Sequence, residues 1–144
     1  MEVSVREAMA DDAAAIARLS DQMGYAISVP DTLRNLEIIG QHENEIILVA
    51  LTNNNLVGWI HVFQTTRVES GSFCEIGGLV VDDQFRHLGI GKLLIEKTKA
   101  WCVSRGSSNL RVRSNIKRKE AHEFYLRVGF GESKQQRVFE LTIP

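Results

Sequence analysis

The stretch CEIGGLVVDDQFRHLGIGKLLIEKTKAW, Cys74 to Trp101, decides how the rest of this 144-residue chain is read. Cys74 to Val81 reads as a strand that ends in Leu79, Val80 and Val81 and carries Gly77 and Gly78 in its middle. Glycine inside a strand marks a bulge, or a close approach by another backbone or a ligand. Asp82 and Asp83 break the run, and from there Ile90, Leu93, Leu94, Lys97, Thr98 and Trp101 fall at helical spacing. The order is strand, glycine turn, helix. The first amides of such a helix have no intrahelical partner, and the helix dipole adds partial positive charge. Glycines remove side chains that would keep a phosphate from those amides. Arg86 and Lys92 add charge, so the turn from Arg86 to Lys92 predicts a diphosphate cradle.

Two common nucleotide patterns fail here. A Walker loop needs a glycine five residues before Gly91-Lys92 and a Ser or Thr after the lysine, where this chain has Arg86 and Leu93. A dinucleotide fingerprint needs a third glycine where Leu94 stands. What remains is R-x-x-G-x-G. A pattern this short recurs by chance in roughly one chain in ten or twenty, so its weight comes from lying between a strand and a helix.

Working outward, Val3 to Arg6 alternates as a first strand, and Asp11 or Asp12 can cap a helix with Ala14, Ile16, Ala17, Leu19 and Met23 on its apolar face, stopped at Gly24. Tyr25 to Pro30 reads as a loop. Asp31 caps a second helix that carries Leu33, Leu36 and Ile39 and ends near Gly40. Glu45 to Leu51 is a strand, and Asn53-Asn54-Asn55 a turn, since asparagine tolerates left-handed backbone. Leu56 to Thr65 is the hairpin partner, with Val57, Trp59, His61 and Phe63 on one face. After the helix that ends near Arg105-Gly106 come a strand at Leu110 to Ser114, a helix at Arg118 to Leu126, and a closing hairpin of Phe130 to Lys134 and Val138 to Thr142. Strands and helices alternate around one crossover. The expected class is mixed α/β (α+β), a largely antiparallel sheet of about seven strands with four helices, in a single domain over residues 1–144. The parallel pair should be the central strand and Leu110–Ser114.

Composition adds bounds. Apolar residues make up 44% and charged residues 24%, the balance of an ordinary globular domain. A net charge of −1 gives no reason to expect nucleic acid or an anionic membrane surface. Cys74 and Cys102 sit in no metal-type spacing, so both thiols are expected free, no metal is expected, and the compartment is read as cytoplasmic. The acidic and basic residues of the first dozen positions argue against a signal peptide, and no apolar run approaches membrane length.

Arg86-His87-Leu88-Gly89-Ile90-Gly91 after a strand resembles the acetyl-CoA signature of the GNAT family of N-acetyltransferases. A second block agrees: Asn115, then Ala121-His122-Glu123-Phe124-Tyr125, then Gly129-Phe130, is similar to that family's late strand, helix and FYxxxGF ending. The order of elements extends the resemblance over essentially the whole chain. It implies acetyl-CoA as cosubstrate, a sheet whose central strands splay to admit it, and transfer of an acetyl group from a thioester to an amine. That reaction needs a base for the incoming ammonium, a holder for the developing oxyanion and an acid for the departing thiolate.

By the same resemblance Glu75, eleven residues before Arg86, matches the strand glutamate that serves as base in one branch of the family, with a water chain as the alternative. Tyr125 matches the tyrosine that faces the thioester sulfur and so is the candidate acid. Leu79, Val80 and Val81 would pair through their backbone with the pantetheine amides. Arg86, His87, Leu88, Gly89, Ile90, Gly91 and Lys92 would wrap the pyrophosphate, and Asn115 would contact the cofactor arm, unless it is simply a turn residue. His61 and His122 read as packed or surface histidines, and Trp59 and Trp101 as core.

The leading expectation is acetylation of a primary amine on a small molecule, with a homodimer left open. The alternatives are acetylation of a protein lysine or N-terminus, and an acyl-CoA-binding sensor without turnover. A buried, salt-bridged Glu75 with no open channel for an amine would favour the sensor.

Overall fold

The computed structural model describes residues 1–144. The chain divides into two units, Met1–Arg113 and Ser114–Pro144. The first holds a five-stranded sheet in the order β1-β2-β3-β4-β5: β1 (Ser4–Glu7), β2 (Glu45–Thr52), β3 (Asn55–Arg67), β4 (Gly71–Val81) and β5 (Leu110–Val112). All neighbours are antiparallel except β4 and β5, the parallel pair expected around the crossover helix. That helix is α3 (Ile90–Ser104); α1 (Ala13–Gln22) and α2 (Val29–Gly40) lie between β1 and β2.

Local chemistry explains most boundaries. Asn53 and Asn54 turn the β2–β3 hairpin with φ of 50° and 63°, the left-handed backbone that asparagine tolerates. The second helix begins earlier than Asp31: Ser28 is its N-cap, its Oγ accepting from the Asp31 amide at 3.1 Å. Pro30 sits in the first turn rather than in a loop, because a missing N–H costs nothing there. Asp12 does not cap α1 through its side chain. Its carboxylate instead takes both guanidinium nitrogens of Arg6, at 2.8 and 2.9 Å, and the Met9 amide at 2.7 Å, which fastens β1 to the start of the helix.

Helix α1 covers one face of the sheet, where Ile16 and Leu19 pack with Val49, Leu56 and Val80 and with the half-buried Trp59. Helix α3 covers the other, where Cys102 packs with Val62 and Cys74, flanked by Trp101 and Leu110. Side chains three apart on a strand point to opposite faces, as Trp59 and Val62 do. Both cysteines are free and buried. Burial pushes the Cys102 thiol up to about 12, and its neighbour Cys74 adds to the shift.

The second unit contains α4 (Lys119–Arg127). The hairpin expected at Phe130–Lys134 and Val138–Thr142 is absent: residues 130–144 form no helix or strand. Five strands therefore stand where about seven were expected. The cause is partnering, since a strand is defined by the ladder it joins, and beyond the bond from the Phe130 amide to the Tyr125 carbonyl this segment makes no backbone hydrogen bond to the rest of the chain.

Candidate active site

β4 is paired on both sides only at Cys74–Ile76. Cys74, Glu75 and Ile76 face Leu110, Arg111 and Val112 of β5, and from Gly77 onward β5 offers no partner. On the other side β3 stays paired to Val81, with one irregularity: His61 faces Gly78 and Val62 faces Ile76, so Gly77 is an extra residue, a β-bulge. The two glycines fit this place for different neighbours. A Cβ on Gly77 would come within 2.7 Å of His61 Nδ1, and one on Gly78 within 2.7 Å of Trp59. The bulge also changes facing. Glu75 lies opposite Phe63 and Val80 opposite Trp59, so the two share the α1 face of the sheet despite their odd spacing.

Around Leu79, Val80 and Val81 the β4 backbone groups that face away from β3 are left without a strand partner. The chain then makes a 3-10 turn at Asp83–Phe85, capped by Asp82, whose carboxylate accepts from the Gln84 amide at 3.1 Å. Burial raises the Asp82 carboxyl, but the Gln84 amide, Gln22 and Arg18 outweigh it and hold the group below its ordinary range. His87 and Gly89 follow with φ of 63° and 85°. The first helical bond at the start of α3 runs from the Leu93 amide to the Gly89 carbonyl at 3.0 Å, and the amides from His87 to Lys92 have no backbone acceptor. Nothing lies within 4 Å of a Cβ built on Gly89, so the space in front of these amides is open. Arg86 folds back, its Nε donating to the Val81 carbonyl at 3.4 Å, while the Lys92 side chain is exposed. Free amides, a left-handed glycine and open space suit the diphosphate of a nucleotide-like ligand.

Glu75 is 8% exposed, and its Oε1 accepts from Arg113 Nε at 3.2 Å. Arg113 was missed by sequence reasoning. Alternation in Leu110-Arg111-Val112-Arg113 shows that the two arginines share a face, but only the parallel register says which carboxylate they meet. Glu45 lies on the same face, opposite Phe63, and joins His61 Nε2 at 2.8 Å and His42 Nδ1. Burial raises the Glu45 carboxyl, and the hydrogen bonds from His42 and His61 more than offset it, for a net lowering. Counting outward from the Asn53–Asn54 turn would put Ile46 opposite His61; an irregularity between Ala50 and Leu51 shifts the register, so that Ile47 stands there and Glu45 shares the face of His61. His61 is thus tied to a carboxylate rather than merely packed.

A separate cleft of about 440 Å³ is lined by Arg6, Asp12, Arg18, Asn54, Asn55 and Asp82 among others. Four of its charges are paired, Arg6 with Asp12 and Arg18 with Asp82, and Asp11 also lines it.

In the second unit Tyr125 stands edge-on to Phe124 and Phe130, at ring distances of 5.4 and 5.5 Å, and its carbonyl accepts from the Phe130 amide at 2.9 Å. Burial pushes its phenol up, against a smaller opposing effect of Arg118. The phenol therefore keeps its proton at neutral pH. Asn115 is exposed; its Oδ1 accepts from the Lys117 amide at 2.9 Å, and its carbonyl from the Arg118 amide and His122 Nε2. That is the turn geometry weighed for it from sequence, with Nδ2 free of hydrogen bonds.

Residues 11–130 match the Acetyltransferase (GNAT) family. The chain belongs to this family of N-acetyltransferases. It is 25% identical over 145 residues to an aminoglycoside N(6')-acetyltransferase type 1 of Stenotrophomonas maltophilia, a match that covers 97% of this chain and 94% of the relative. It is 33% identical over 86 residues to an aminoalkylphosphonate N-acetyltransferase of Salmonella typhimurium, covering 59% of this chain and 56% of that one. Among solved structures, the aminoglycoside N-acetyltransferase AAC(6')-Iy in complex with CoA superposes with a TM-score of 0.89 at 16% identity, over 99% of this chain and 96% of that chain. This last likeness is one of fold, and it agrees with the mixed sheet of an N-acetyltransferase.

Proposed function

We propose that this N-acetyltransferase, acting as one domain over residues 1–144, moves an acetyl group from acetyl-CoA to a primary amine of a small molecule. The observation that carries the reading is the pairing of an open β4 edge with the partner-free amides of the α3 turn. One end suits the amides of an extended arm, the other a diphosphate. A relative named for aminoglycosides and another named for aminoalkylphosphonates support a small amine-bearing substrate.

When bound, acetyl-CoA supplies an activated acetyl group on a thiolate leaving group. The protein's part is positioning and proton transfer. The amides of His87 to Lys92 hold the diphosphate, while Arg86, His87, Leu88, Gly89, Ile90, Gly91 and Lys92 shape the loop that presents them. The backbone of Leu79, Val80 and Val81 aligns the arm, and one N–H of this edge holds the carbonyl oxygen as charge gathers on it. Glu75 takes the ammonium proton through Oε2, which carries no hydrogen bond, while Arg113 fixes Oε1. By the family resemblance Tyr125 would give its retained proton to the departing sulfur. By the same resemblance Asn115, which holds the turn before α4, would contact the cofactor arm.

A second reading of the base has its own observation. Glu75 is buried and bridged to Arg113, which suits a carboxylate that orders the end of β5 while water carries the proton. The experiment is a panel of amines, aminoglycosides and aminoalkylphosphonates included, with acetyl-CoA and thiol release as the signal. Turnover of at least one small amine is expected; a panel silent for small amines but active on peptide lysines would move the substrate to proteins.

A further inference from the structure

Beside the open edge of β4, His61 has the surroundings of an oriented base. Its Nε2 lies 2.8 Å from Glu45 Oε1, and the other Glu45 oxygen is joined to His42 Nδ1. Burial raises the Glu45 carboxyl and the two histidines outweigh it, so Glu45 is ionised at neutral pH. An ionised carboxylate only accepts hydrogen bonds. Nε2 of His61 therefore carries the ring hydrogen, and Nδ1 keeps a lone pair with no hydrogen-bond partner. Phe63 stands against the ring at a centroid distance of 5.8 Å, which helps to hold its direction.

That lone pair faces the bulge. A Cβ on Gly77 would come within 2.7 Å of Nδ1, so a glycine is what leaves the ring its place. The diphosphate cradle lies beyond Val81, at one end of the open edge. The other end is fixed by β5, which takes the edge at Ile76. A ligand held by its diphosphate and extended along Val81, Val80 and Leu79 thus presents its far end near Gly78 and Gly77, where His61 waits.

The charges around the ring separate it from Glu75. Glu75 stands opposite Phe63 and so is the diagonal neighbour of His61 on β4. It is buried, and Arg113 holds its Oε1; Arg111, on β5, lies over the Phe73 ring at 3.8 Å. A carboxylate paired with a guanidinium is a poor proton acceptor, whereas a neutral imidazole backed by a carboxylate is a good one.

We propose that His61 Nδ1 receives the proton that the substrate ammonium gives up, and that Glu45 is its positioning residue. This rests on the acetyl-transfer reading, in the form where water carries the proton and Glu75 orders the end of β5. An N–H bond of the ammonium breaks, and its electron pair stays on nitrogen to attack the thioester carbonyl carbon. The proton passes to an intervening water, which gives one of its own to Nδ1. His61 becomes an imidazolium held against the Glu45 carboxylate, and later yields that proton to solvent.

His61→Gln should lower kcat/KM for any accepted amine by about 100-fold and remove the acid limb of its pH profile, with acetyl-CoA affinity and circular dichroism unchanged. Glu45→Gln should lower turnover by about tenfold or more at unchanged affinity, because an amide can turn an N–H toward Nε2 and force the hydrogen onto Nδ1. Nitrogen-15 NMR of the native protein, with the His61 ring assigned by its loss in His61→Gln, should show hydrogen on Nε2 and a bare Nδ1 in the neutral ring. A hydrogen on Nδ1, or a His61→Gln enzyme with the native rate and pH profile, would overturn the base and leave acetyl transfer standing. A native protein that binds acetyl-CoA and acetylates no amine would overturn both.

Discussion

Two segments of this protein leave backbone hydrogen-bonding groups unused, and they do it with opposite chemistry. Around Leu79–Lys92 the open groups lie beside glycines, half-buried strand residues and the exposed charges of Arg86 and Lys92. Along 138–143 they lie beside four exposed apolar side chains. The first arrangement admits a small polar ligand and buries little. The second leaves apolar surface in water, at about 1.5–3 kcal/mol for each such side chain relative to burying it.

The contrast breaks most readily at the ligand edge. Gly89→Glu forces a side chain into left-handed backbone, at about 1–2 kcal/mol, and sets a negative charge before the amides. Acetyl-CoA affinity should fall by about 100-fold or more with the fold retained, which calorimetry and circular dichroism together would read. Tyr125→Phe should lower kcat by about 100-fold with little change in acetyl-CoA affinity, the mark of a group acting on the chemical step; equal losses in both would make it a positioning residue.

Two smaller effects sharpen the picture of what the sheet rests on. Arg6 holds the Asp12 carboxyl below its ordinary range. A lowered folded-state value means this pair stabilises the fold above the ordinary carboxylate range and is lost as pH falls through the lowered value. Asp12→Asn should cost about 1–2 kcal/mol near neutrality, allowing for the exposed Arg6 end, and should flatten the acid limb of a urea-midpoint profile. With Cys102 pushed up to about 12 and Cys74 equally buried, the native protein should take up almost no thiol reagent at pH 8 and two equivalents once unfolded.

Much of this was legible in the sequence because it rests on local chemistry. Asn53-Asn54 and Gly89 are residues chosen for left-handed backbone, and the apolar periods of α1 and α3 need no partner to be read. What escaped depended on register. Arg113 meets Glu75 only because β4 and β5 pair through Cys74–Ile76, and the bulge at Gly77 sets which side chains share a face. Ser28 was hidden by Pro30, which reads as a breaker but sits comfortably in a first turn. The closing hairpin was expected from the alternation of residues 130–142, and the structure forms no strand there.

The most direct test of the ligand edge is calorimetric titration of acetyl-CoA into the purified protein, with dephospho-CoA and NAD as controls. The account predicts micromolar binding of acetyl-CoA, weaker or no binding of the controls, and loss of the signal in Gly89→Glu. Absence of binding, or the same affinity in Gly89→Glu, would make the glycine turn a structural stop and contradict the cradle.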